Sequence, residues 1–339
     1  MNHHVARALQ PATVWVEEGQ VELASLLLHH GGRLAPVSIA WGLAGAPGAP
    51  VVAALGGISA HRRACDTDEP QLGWWRGMVG PGLPLDTTRY RVLGIDWLGG
   101  SAASTGPRPG QADFPSLDSR DQAAALLAVC DALGIARLHA VAGASYGGMV
   151  GLALAELAAE RVRHVLAISA AHRSDPLSTG WRSVQRAIVR HSLSLGDGAG
   201  GLRIARALAM ATYRTRSEFK KRFPVEAHGD GRPVFPVEDY LFARGDDYAR
   251  RHTPESFLCL SESIDLHRVD PARIRVPVTL VGVTEDQLVP LDEIRALACA
   301  LAGPCVLIEL HSQYGHDTFL KERELLAPAF AAALDGASP

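Results

Sequence analysis

Apolar residues in this 339-residue chain gather into short runs separated by turn-rich segments. The runs Val21 to Leu27 and Leu34 to Trp41 partly alternate around HHGGR, which predicts an antiparallel pair at the edge of a sheet. Val51 to Leu55 (VVAAL) reads as a buried strand, Pro70 to Thr87 as a long loop, and Tyr90 to Ile95 as the next strand. Helical spacing over Ser119 to Leu133, with Asp118 or Ser119 as N-cap and Gly134 as stop, predicts a helix. His139 to Ala142 then reads as a strand, Met149 to Leu157 as a buried helix, and Val162 to Ser169 as a further strand. Strand and helix alternating from Val51 to Ser169 argue for a mostly parallel sheet covered on both faces, an α/β fold.

The alternation breaks between His172 and about His267. There the pattern is helical, basic and irregular, as in WRSVQRAIVRHSL and LRIARALAMATYRTRSEFKKRF. The sheet resumes at Val278 to Val283, followed by a helix from Leu291 to Leu301, a strand from Cys305 to Leu310 and a helix from about Lys321 to Ala333. This divides the chain into a core, residues 1–171 and 268–339, and a helical lid, residues 172–267.

Bulk properties narrow the function classes. A formal net charge of -3 gives no reason to expect nucleic acid or an acidic membrane surface as partner. No apolar run is long enough to span a bilayer and the opening MNHHVARALQPATVW holds no long apolar segment, so the expected location is the cytoplasm. The five cysteines show no Cys-x-x-Cys or Cys/His ligand spacing and are expected reduced, with no metal site among them.

The chemistry centres on Gly143-Ala144-Ser145-Tyr146-Gly147, a G-x-S-x-G turn between a strand and a helix. Such a turn holds its serine exposed at the top of the sheet, beside helix N–H groups that favour developing negative charge. The turn Gly56-Gly57 after Val51–Leu55 stands where a second oxyanion donor is expected, or is only a tight turn. An acid after a late strand and a histidine after the last strand complete the order Ser, Asp, His, and Asp286 and His316 occupy those places. Glu285, Asp292 and His311 are the rivals; His311 follows its strand too closely to reach back, and Asp292 reads as an N-terminal charge on its own helix. Arginines in the lid read as solvated helix faces, except where an inner face would meet an anionic group.

Beyond the elbow, LGGSAASTGP, VQRAI, TYRTRSEFKKRF, VGVTEDQLVP and YGHDTFL resemble the homoserine O-acyltransferases of methionine biosynthesis, a branch of the α/β-hydrolase superfamily. The resemblance covers nearly the whole chain. It implies an α/β-hydrolase fold with a helical lid, Ser145 as nucleophile, His316 as acid/base and Asp286 as its orienting carboxylate. It further implies that Arg214 binds the carboxylate of L-homoserine, that Asp317 binds its ammonium, and that the N–H groups of Tyr146 and of Gly56 or Gly57 hold the oxyanion. The turn Leu55-Gly56-Gly57-Ile58-Ser59 departs from the Leu-Thr-Gly type of many acetyl-transferring members, which leaves both the glycine that completes the oxyanion hole and the acyl donor open; succinyl-CoA is the expected donor and acetyl-CoA the alternative. A succinyl carboxylate needs a cation, for which Arg62 and Arg186 are the candidates. Serine in place of homoserine, and a plain esterase or thioesterase, are the alternatives. The resemblance also implies a homodimer through the lid, and no cofactor or metal beyond the CoA of the donor.

Overall fold

The computed structural model describes residues 14–66, 73–111, 113–228 and 233–336. The opening segment as far as residue 13, and positions 70–72 of the long loop, lie outside the described residues. Eight strands form one sheet: β1 (Val16–Leu23), β2 (Val37–Ala44), β3 (Val51–Leu55), β4 (Arg91–Ile95), β5 (Ala140–Ala144), β6 (Val165–Ile168), β7 (Val278–Val283) and β8 (Cys305–Leu310). Their spatial order is β1-β2-β4-β3-β5-β6-β7-β8. β1 and β2 run antiparallel to their neighbours, and every pair from β4 to β8 is parallel.

Burial follows position in the sheet. Every residue of β5, β6 and β7 is buried, as strands covered on both faces must be, whereas β1 alternates between exposed and half-buried positions at the edge. The runs at 21–27 and 34–41 divide differently from the sequence expectation. β1 begins at Val16, paired with Ala44, and a separate short pair, Leu26–Leu27 with Arg33–Leu34, closes around the HHGG turn. The first half of β1, VEEGQ, is polar because it is an edge, so it carries no hydrophobic signal of its own.

Helices α1 (Ser119–Ala132) and α2 (Tyr146–Leu157) pack on one face of the sheet. α1 starts where its cap dictates: the Asp118 carboxylate accepts from the N–H groups of Arg120 and Asp121, and Asp121 returns the bond to the Asp118 N–H. α2 is apolar around nearly its whole circumference because it lies under α1 and over the central strands. Val150, Leu152 and Leu154 are wholly buried, each contributing roughly 1.5–3 kcal/mol. That burial makes the start of α2 a rigid platform.

Among the described residues, five α-helices lie between β6 and β7: α3 (Pro176–Ser194), α4 (Gly198–Tyr213), α5 (Arg216–Arg222), α6 (Pro236–Ala249) and α7 (Pro254–Leu266). They hold a small core of their own from Val189, Leu202, Ala205, Tyr248 and Phe257. α8 (Leu291–Ala300) follows β7, and the expected C-terminal helix is α10 (Arg323–Asp335), preceded by a separate single turn, α9 (Thr318–Lys321). α10 and the segment around Trp75 cover the second face, with Phe330 and Leu326 fully buried there.

Candidate active site

β5 delivers the chain into the elbow. Ser145 has φ 54° and ψ -121°, a backbone conformation costing on the order of 1–3 kcal/mol in a non-glycine residue. The fold enforces it from both sides: the Ser145 N–H donates to the Ile168 carbonyl at 2.8 Å, and its own carbonyl accepts from Gly148 and Met149. Gly147 lies so close to β3 that a Cβ there would stand 2.2 Å from the Leu55 carbonyl oxygen. A serine at a helix start ordinarily caps it, but the Ser145 hydroxyl makes no cap bond. Its Oγ lies instead 2.9 Å from His316 Nε2.

The other two groups come from loops after β7 and β8. His316 sits in a 3-10 turn, Gly315–Asp317, entered through Gly315 at φ 54°. Its Nδ1 lies 2.7 Å from Asp286 Oδ2, while Asp286 Oδ1 accepts from the N–H groups of Leu288 and Val289 at 2.9 and 3.1 Å. These three hydrogen bonds fix the orientation of the carboxylate. Burial disfavours charge on the imidazole, but the Asp286 carboxylate and its hydrogen bond, with help from Asp317, outweigh that and raise the His316 pKa above 6.5. Of the rivals, Glu285 is engaged with exposed His311 and the Ser312 N–H, and Asp292 lies in the first turn of α8.

A cavity of about 200 Å³ opens at Ser145 and His316, lined by the Gly57-to-Ala60 turn, the insertion and the β7 loop. Gly57 faces this cavity; a Cβ on it would meet nothing within 4 Å. Gly56 does not line it. Its carbonyl accepts from the Gly147 N–H at 2.8 Å, and a Cβ there would collide with Ala60 and Trp74. Tyr146 is fully buried, and its hydroxyl is hydrogen-bonded to Ser263 in α7, which ties the elbow to the insertion.

The structure places Arg214 and Asp317 against each other, with the arginine Nε donating to Asp317 Oδ2 at 2.7 Å and Nη1 to Glu218 at 3.2 Å. Asp317 also lines the catalytic cavity. Arg62 is elsewhere. It lies across β2 and β4, donating to Asp96 at 2.7 Å and to Glu18, so proximity in sequence to the Gly56-Gly57 turn does not bring it to the cavity. Arg186 is buried behind the wall, its Nη1 donating to Asp265 Oδ2 at 2.6 Å and to Ser261, and it does not line the cavity either.

Three arginines that sequence reasoning did not single out do line it: Arg173, Arg182 and Arg206. Arg182 Nε donates to Asp265 Oδ1 at 2.7 Å, one turn of α3 before Arg186 and on the same carboxylate. Arg206 has no carboxylate partner among the described residues; it donates to the Tyr213 hydroxyl at 3.2 Å and lies over the rings of Tyr213 and Tyr248. Away from the cavity, His29, His30 and Asp118 bring three potential metal-ligating atoms within 4.8 Å of one another, a grouping invisible in the sequence.

A family model described as the alpha/beta hydrolase fold matches residues 55–322. A homoserine O-succinyltransferase of Xanthomonas campestris pv. campestris is 42% identical over 91% of this chain and 82% of its own length. A serine O-succinyltransferase of Litchfieldella anticariensis is 35% identical over 91% of this chain and 95% of its own. Among solved structures, that of esterase E22 superposes with a TM-score of 0.85, covering 94% of this chain and 100% of that one at 21% identity, a likeness of fold alone.

Proposed function

The chain belongs to the α/β-hydrolase family and, within it, to the homoserine and serine O-acyltransferases, and from that premise we propose that it moves a succinyl group from succinyl-CoA to the hydroxyl of L-homoserine. The observation that carries this reading is the unbroken line Asp286, His316, Ser145 at 2.7 and 2.9 Å, opening into a cavity lined by arginines and Asp317. In the first half-reaction His316 removes the hydroxyl proton as Ser145 Oγ attacks the thioester carbonyl. The oxyanion is held by the N–H groups of Tyr146 and Gly57, and the CoA thiolate leaves with the proton from the imidazolium. In the second, His316 deprotonates the homoserine hydroxyl, which attacks the acyl-serine; the ester departs and the proton returns to Ser145. No group beyond these side chains and the two substrates is called on.

Water competes for the acyl-serine, so transfer requires that the acceptor be held at high effective concentration and water kept out. α3 to α7 act as the lid that does this. Arg214 and Asp317 supply the charges that recognise an α-amino acid's carboxylate and ammonium. For the donor, Arg182 replaces Arg62 and Arg186 as the residue that meets the succinyl carboxylate, because it lines the cavity beside Ser174 and Gln185.

The same reading puts the protein in the cytoplasm, in methionine biosynthesis, as a homodimer joined through the lid. No helix among the described residues is long and apolar enough to cross a membrane. Leu177, Val184, Leu195, Ile204, Val225 and Phe235 are large apolar side chains left exposed on the insertion, as a shared interface requires.

The test is a matrix of succinyl-CoA and acetyl-CoA against homoserine, serine and no acceptor, following thiol release. Strong acceleration by homoserine with succinyl-CoA is expected. An equal rate without any amino acid would make the protein a thioesterase, and a preference for serine or for acetyl-CoA would reassign the substrate concerned.

A further inference from the structure

A second and more open cleft, of about 780 Å³, adjoins the catalytic cavity and shares Trp74, Arg206, Asp317 and Leu320 with it. Its wall carries Lys321 and six arginines, Arg76, Arg206, Arg214, Arg222, Arg244 and Arg251, against the carboxylates of Glu218, Asp247 and Asp317. All three carboxylates are already committed, Asp317 and Glu218 to Arg214 and Asp247 to Arg244 and Arg250. Among the described residues Arg251 and Lys321 are in no ion pair, and both are exposed at the rim. Tyr240 and Tyr314 alternate with these cations, Arg222 lying 4.1 Å above the Tyr240 ring and Arg214 5.6 Å from that of Tyr314.

A concave wall with this excess of like charge repels itself and focuses a positive potential, which an anion of several charges relieves. The acceptor does not fit that description, since an α-amino acid is a zwitterion with no net charge. A succinyl group carries one carboxylate, and it must lie at Ser145. The part of the donor with several negative charges is its far end, the diphosphate and 3′-phosphate of the adenosine. We propose that this outer cleft seats the phosphate-bearing adenosine end of the acyl-CoA, with Arg251 and Lys321 on its phosphates and the aromatic side chains beside the base. The pantetheine arm then runs through the neck formed by the four shared residues to bring the thioester to Ser145. Arg206, at that neck and free of any carboxylate among the described residues, is the cation the arm passes first.

The assignment rests on an acyl-CoA being the donor, and its test is a binding measurement that needs no turnover. Adenosine 3′,5′-bisphosphate and inorganic pyrophosphate are titrated calorimetrically into the full-length protein and into Arg251→Glu and Lys321→Glu, with Lys321→Arg as the conservative control. The nucleotide is expected to bind the parent and Lys321→Arg alike, and each charge reversal to weaken it by about tenfold or more, the loss of a charge-assisted hydrogen bond plus new repulsion. With succinyl-CoA as substrate the reversals raise KM, whereas with a succinyl-pantetheine thioester, which lacks the nucleotide, they leave it unchanged. No binding by the parent, unchanged binding by both reversals, or pyrophosphate binding as tightly as the nucleotide would each overturn the proposal. Acyl transfer absent while these binding results hold would instead overturn the reading of the reaction.

Discussion

Arg214 Nε donates to Asp317 Oδ2 at 2.7 Å, so the two residues expected to grip opposite ends of an amino acid grip each other. Both are buried, and Glu218 accepts from the same guanidinium and from Arg222, so that two arginines face two carboxylates. Arg214 Nη2 and Asp317 Oδ1 have no hydrogen-bond partner among the described residues. The acceptor proposed above can therefore meet one unused N–H group and one unused carboxylate oxygen without the pair having to part.

Replacing Arg214 by Leu, or Asp317 by Asn, is expected to raise the homoserine KM by about ten- to a hundredfold, as loss of a charge-assisted hydrogen bond of roughly 1.5–3 kcal/mol requires. Formation of the acyl-enzyme, read as a single burst of thiol without acceptor, should persist. A variant whose burst and homoserine step fell together would point to a damaged fold in place of a lost contact.

Ser145→Ala and His316→Ala should each lower turnover on the order of 10⁴-fold or more, because nucleophile and base act as one unit and the remaining oxyanion donors supply only the residual rate. A serine-directed fluorophosphonate should label the parent at Ser145 and leave Ser145→Ala unlabelled. Near-normal turnover in either variant would remove that residue from the reaction.

The line of Ser145, Asp286 and His316 was legible because each residue follows a strand whose apolar run is unmistakable, and strands of one parallel sheet end on the same side. What chain order cannot carry is direction. Arg62 lies five residues beyond Gly57, yet the chain turns there and the guanidinium crosses to Asp96 and Glu18. Arg182 and Arg206 were overlooked for the opposite reason: an arginine on a helix face reads the same whether it points to water or into a cavity, and only the packing of α3 and α4 decides. The edge strand β1 was misplaced because half its residues face solvent and carry no hydrophobic pattern.

The raised pKa of His316 fixes the sign of the pH dependence. In the proposed reaction its neutral form is the base, so the rate of acylation should rise with pH through a value above 6.5 and then level. Asp286→Asn removes the main cause of the elevation and should move that limb to lower pH while also reducing the plateau rate. For stability the sign is opposite: the protonated imidazole is favoured in the fold, a contribution fully present below pH 6.5 and lost as pH climbs through the raised value. A limb that stayed in place in Asp286→Asn would mean that another group titrates.

Donor choice should follow the arginine in the cavity. Arg182→Asn is expected to raise the KM for succinyl-CoA by about tenfold and to change that for acetyl-CoA little, since only the former has a carboxylate to leave unpaired. Arg62→Leu should lower thermal stability without altering the ratio of the two donors, because it strands the buried Asp96. Equal effects of Arg182→Asn on both donors would place the succinyl carboxylate elsewhere.

His267 offers a test of stability distant from the chemistry. It caps the end of α7, fully enclosed, with Nδ1 2.6 Å from the Ser119 hydroxyl and Nε2 3.0 Å from the Ala171 carbonyl oxygen. Burial is the largest cause of its lowered pKa, about 4, so the fold holds it neutral where an unfolded chain would take up a proton. Between pH 6.5 and about 4 the unfolded state gains that proton and the native state does not, and stability falls by on the order of 3 kcal/mol across the window. His267→Gln keeps a donor and an acceptor in place but cannot titrate. Its melting temperature should sit below that of the parent at pH 7.5, from imperfect packing, and decline less steeply on going to pH 5. Parallel declines in the two proteins would show that the acid sensitivity of the fold arises at other groups.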